Sequence, residues 1–125
     1  MKMDPEKKTF KNAFLSKRFL YAGRGVAGAF LREASFRLQS ACALGLVVFC
    51  LVFKPSPFWC ALFALASALV LGLELVNTAV EAFLDRFHPQ WDAEVGFIKD
   101  CLAGAVFVAS LGALAVFAAF LWTLL

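Results

Sequence analysis

The chain has 125 residues, 62% of them hydrophobic and 17% charged, with a formal net charge of +3. A soluble domain averages about 45–50% apolar residues, so the excess argues against a water-solvated fold and for a single domain living in lipid. Cys42, Cys50, Cys60 and Cys101 lie within or beside apolar runs, none forms a C-x-x-C pair, and there is one histidine. Small buried hydrophobes are therefore expected at these positions rather than a zinc site or thiol chemistry.

The N-terminal segment mixes Lys11, Lys17, Arg18, Arg24 and Arg32 with Phe14, Leu15, Phe19, Leu20, Tyr21, Val26 and Phe30. That composition predicts an amphipathic surface helix over about 11–32, its cations toward anionic headgroups, after a tail over 1–9. The first long apolar run begins only near Leu38, so no cleaved leader is expected. Gly23-Arg24-Gly25-Val26-Ala27-Gly28 fits a dinucleotide-binding glycine pattern in form, yet lacks the strand that pattern requires.

Ala41–Phe53 carries no charge but is too short to cross a hydrocarbon core, which takes about 20 helical residues. Extension back through Arg37 to Glu33 gives a first span over about 33–53, with Arg37 able to snorkel. Lys54-Pro55-Ser56-Pro57 then breaks the helix, because two prolines remove amide donors and disfavour helical geometry upstream. The second span is expected over about 58–87 and ends before the polar stretch His88–Glu94, in which His88 reads as solvated. The third is expected over about 97–124; Cys101–Leu125 holds no charge. Trp59, Trp91 and Trp122 fall near the expected interfaces, and Gly104, Ala105, Ala109 and Gly112 suit close helix packing.

Basic residues set the orientation. They crowd before the first span and recur as Arg86 and Lys99 around the second loop, whereas the first turn has Lys54 alone. The positive-inside rule places the N-terminus and the second loop in the cytoplasm.

The second span carries Glu74, Asn77, Glu81 and Asp85 at i, i+3, i+7 and i+11, within about 80° on one helix face, bordered by Thr78. Ionisable groups at membrane depth cost about 2.5–3.5 kcal/mol each on insertion scales, so such a stripe needs a neighbour or a wet cleft. Glu33, Lys99 and Asp100 lie at the level of Glu81 and Asp85, which predicts carboxylates and a lysine gathered at the cytoplasmic interface. Carboxylates there could hold Mg²⁺ on nucleotide phosphates, and a lysine could offset charge on a transferring phosphoryl group. Glu74, roughly 10 Å deeper than Glu81, could take a proton from a lipid hydroxyl. A helix-packing network is the other reading, and spacing alone leaves both open.

Three elements resemble those of the prokaryotic diacylglycerol kinase family. They are Glu74-Leu-Val-Asn77-Thr78-Ala-Val-Glu81 with Asp85-Arg86, Glu33-Ala-Ser35-Phe36-Arg37, and Lys99-Asp100 with Ala103-Gly104. The similarity runs over roughly residues 14–120. It implies an all-α homotrimer of three-span subunits, each with a surface helix, sharing active sites between neighbours in a bacterial inner membrane. It further implies Glu74 as general base, Glu33 and Glu81 as holders of the Mg²⁺ of MgATP, and Tyr21, Gln90, Asp92, Lys99 and Asp100 at the nucleotide. Asn77 and Asp85 would support the catalytic helix, and Ser35 and Arg37 would join Glu74 at the lipid.

This chain departs from close relatives at Phe14, where an arginine is usual, at Leu38, where a glutamine is usual and Gln39 follows, and at Gly23, in place of a tryptophan. There is no G-x-x-x-x-G-K-[ST], so ATP would not be held by a P-loop. The expected activity is phosphorylation of diacylglycerol to phosphatidic acid, with no nucleic-acid partner. Undecaprenol is the alternative substrate, and a non-enzymatic helical scaffold is the rival reading.

Overall fold

The computed structural model describes residues 15–125, so expectations for Lys11, Phe14 and the tail over 1–9 fall outside the described residues. Four helices follow one another: α1 (Leu15–Arg32), α2 (Ala34–Phe53), α3 (Pro57–Phe87) and α4 (Ala93–Trp122). The last three are long and apolar enough to cross a membrane.

Glu33 alone separates α1 from α2. Its backbone is extended (φ −110°, ψ 117°), which interrupts the helical run for one residue while Glu33 N–H still donates to Ala29 O at 2.8 Å. The guanidinium of Arg37 reaches back to Phe30 O (3.0 Å) and Leu31 O (3.2 Å), the free carbonyls of the last turn of α1. A cation at a helix C-terminus both satisfies those acceptors and opposes the macrodipole.

The predicted break at 54–57 is present. Lys54 takes the left-handed conformation (φ 48°) and its N–H donates to Cys50 O, closing α2. Pro57 then opens α3 at its first positions, where a missing N–H costs nothing. At 31 residues α3 is about 46 Å long, more than a hydrocarbon core of about 30 Å needs. The helix carrying the third span begins at Ala93, ahead of the span's expected start near 97. Asp92 explains the early start: its carboxylate accepts from Val95 N–H at 2.9 Å and caps the helix.

The central helix is α3, which packs against both α2 and α4, while α1 touches α2 and α3. Near the 54–57 turn, Phe49 from α2, Trp59 and Phe63 from α3, and Phe117 and Phe120 from α4 interlock. Phe49 meets Phe120 edge-on at 5.7 Å, and Phe63 meets it at 5.5 Å. Large apolar side chains such as Leu44, Leu51, Leu65 and Phe107 point outward, a surface suited to hydrocarbon or to other helices.

Candidate functional site

Glu74, on α3, is only 3% exposed, the single buried charged residue among those described. A carboxylate so placed needs donors. Two come from α2, one turn apart: Ser35 Oγ donates to Oε1 at 2.8 Å, and Gln39 Nε2 donates to Oε2 at 3.4 Å. Residues i and i+4 share a helix face, so both side chains of α2 reach the same partner on α3.

One turn on, Asn77 Oδ1 and Thr78 Oγ1 are buried without a hydrogen-bond partner, as is Gln39 Oε1. The polar stripe of α3 is thus part satisfied and part waiting. Glu81 and Glu33 are half-buried, and the Glu33 side chain makes no capping bond to α2.

At the far end of α3, Lys99 Nζ pairs with Asp85 Oδ1 at 2.7 Å, the side chains 37% and 66% exposed. The pair borders a cleft of about 310 Å³ whose walls also include Gln90, Trp91 and Asp100. Three of the five residues expected at a nucleotide, Gln90, Lys99 and Asp100, are gathered here. The Asp92 carboxylate is engaged in capping α4, and Tyr21 stands on α1 with the Arg24 guanidinium 6.0 Å from its ring centre.

No group of three or more His, Cys, Asp or Glu side chains able to hold a metal forms among the described residues. Mg²⁺ does not require one. It keeps several waters and is commonly bound through one or two carboxylates together with substrate phosphates. Glu33 and Glu81 are half-buried carboxylates of the kind that serves such an ion.

Ser35 and Arg37, expected beside a lipid, are found holding Glu74 and the end of α1 respectively. Gln39 was absent from the expected site. Its position one helical turn after Ser35 was the available signal.

Residues 20–121 match the family model described as prokaryotic diacylglycerol kinase. The chain is 36% identical to a diacylglycerol kinase of Synechocystis over 99 residues, which are 78% of this chain and 57% of that protein. It is 28% identical to the diacylglycerol kinase of Escherichia coli K12 over 103 residues, 82% of this chain and 84% of that one. To an undecaprenol kinase of Bacillus subtilis it is 33% identical over 97 residues, 74% of this chain and 75% of that protein. The matched stretch therefore spans little more than half the length of the cyanobacterial relative and most of the other two.

Proposed function

This chain belongs to the prokaryotic diacylglycerol kinase family, and from that premise we propose that it transfers the γ-phosphoryl group of ATP to the primary hydroxyl of diacylglycerol, giving phosphatidic acid. The observation that carries the reading is the buried Glu74 carboxylate, held by Ser35 in a helix otherwise built for hydrocarbon. Such a group is costly to bury, which makes it a functional candidate.

In this mechanism Glu74 accepts the hydroxyl proton as the lipid oxygen bonds to the γ-phosphorus. The bond from that phosphorus to the bridging oxygen breaks, and ADP leaves. Lys99 and Asp100, with Gln90, line the cleft that takes the nucleotide, and Asp85 holds the Lys99 ammonium in place. Tyr21 and Asp92 approach the nucleotide from α1 and from the start of α4. Glu33 and Glu81 would hold Mg²⁺, which when bound offsets charge on the nucleotide phosphates. Asn77, one turn from Glu74, supports the catalytic helix, and Ser35 and Arg37 border the lipid headgroup.

The protein functions as a homotrimer in the bacterial inner membrane. Its N-terminus and the loop around residues 88–92 are cytoplasmic, and α1 lies along the cytoplasmic surface. The apolar outward faces of α2 to α4 support the membrane setting.

Undecaprenol is the second substrate reading, favoured by the similarity to the Bacillus enzyme. Phosphate transfer from MgATP to diacylglycerol and to undecaprenol, compared in mixed micelles with the purified protein, tests both. Turnover of diacylglycerol that disappears in Glu74→Gln is the expected result. Transfer to undecaprenol alone would reassign the substrate. No transfer to either lipid by folded oligomer would leave a structural role for the polar stripe.

A further inference from the structure

Gln39 combines three properties that plain helix packing does not explain. Its Nε2 donates to Glu74 Oε2 at 3.4 Å, its Oε1 is buried with no partner, and it lines an apolar cavity of about 300 Å³ between α2, α3 and α4. The amide direction follows from its neighbour, because a carbonyl oxygen turned toward the carboxylate would repel it. With Nε2 committed to Glu74, the other half of the amide is left unsatisfied. A buried acceptor without a partner is unfavourable, and a leucine or methionine would avoid that cost. The glutamine is explained if its contact with Glu74 matters more than its own satisfaction.

We infer that Gln39 is a positioning residue for the phosphoryl-transfer reaction, holding the Glu74 carboxylate aimed from α2. The inference rests on the reading of Glu74 as base. Ser35 and Gln39 grip different oxygens of Glu74, so together they fix the carboxylate plane; one donor alone leaves rotation about the last side-chain bond. The cavity walls beside Gln39 are largely apolar, including Cys42, Leu46 and Val70 with the Ser67 and Ser110 hydroxyls as exceptions, and hydrogen bonds act more strongly in such surroundings.

The test is Gln39→Met, which keeps the length of the side chain and removes the donor. Two readouts on the full-length protein are compared with wild type. The first is steady-state kinetics: kcat falls about tenfold or more while KM for MgATP is unchanged. The second needs no turnover. A hydrophobic carbodiimide, whose central carbon is attacked by a carboxyl oxygen, labels Glu74 faster in Gln39→Met, where Oε2 has lost its donor, than in wild type, while labelling of Glu81 stays constant. Gln39→His, which restores an N–H donor, recovers part of both effects. An unchanged Glu74 labelling rate overturns the inference, whether or not a lipid is phosphorylated. So does a kcat loss matched by an equal loss of the folded oligomer. Absence of lipid phosphorylation in wild type, with the labelling effect present, would strike the kinase reading and leave the Gln39–Glu74 coupling standing.

Discussion

The Lys99 ammonium donates to the Asp85 carboxylate at 2.7 Å, joining the last turns of α3 to the second turn of α4 across a loop of five residues, His88–Asp92. Both side chains are well exposed, so the pair is worth little as a stabilising contact and more as a means of holding a cation at the mouth of the cleft. Lys99→Met should lower kcat by about 10²–10³-fold, the usual cost of removing one preorganised donor to a developing charge. Asp85→Asn should instead raise KM for MgATP several-fold with little change in the thermal unfolding midpoint. Equal losses of stability and activity in Asp85→Asn would show the pair to be structural.

Glu74→Gln should reduce kcat by about 10²–10⁴-fold, the range general-base catalysis contributes, while the oligomer survives. Survival is expected because glutamine Oε1 can still accept from Ser35 Oγ. Size-exclusion chromatography alongside the lipid assay checks both halves of the statement.

Ser35→Ala removes the shorter of the two bonds to Glu74. A hydrogen bond to a charged group is worth about 1.5–3 kcal/mol, so kcat should fall by about 10–100-fold. If Ser35 acts chiefly on the lipid headgroup, KM for the lipid will rise instead with kcat little altered, and the kinetic split distinguishes the two.

Asp92 holds the first turn of α4 through Val95 N–H. Asp92→Ala should cost about 1 kcal/mol of stability, measured by unfolding in mixed micelles, and Asp92→Ser should restore most of it. Activity that returns with Asp92→Ser would mark Asp92 as a cap that places Lys99 and Asp100 seven and eight residues on. Activity that stays low despite restored stability would mark a direct nucleotide contact.

Orientation is open to labelling in cells. In a background with Cys42, Cys50, Cys60 and Cys101 changed to alanine, Ser56→Cys should react with a membrane-impermeant maleimide applied outside intact cells. Gln90→Cys should react only after permeabilisation. The reverse pattern would invert the topology and place the cleft of Lys99 on the wrong side for cellular ATP.

The spans, their breaks and the polar stripe were legible in the chain itself, because each is written within one segment. Hydropathy over about 20 residues marks a span, Pro55 and Pro57 mark its end, and the 3.6-residue period puts Glu74, Asn77, Glu81 and Asp85 on one face. The capping of α4 by Asp92 was equally local, yet the polar character of His88–Glu94 masked it. What no single segment contains is the rotation and depth of one helix against another. Packing of α2 on α3 decided that the donors to Glu74 are Ser35 and Gln39, 39 and 35 residues away along the chain. Packing of α4 on α3 likewise chose Asp85 for Lys99, and the one-residue break at Glu33 turned Arg37 back onto the end of α1. A polar stripe declares that it must be satisfied. Only the approach of apolar faces, which fixes which side chains come within about 3 Å, determines by whom.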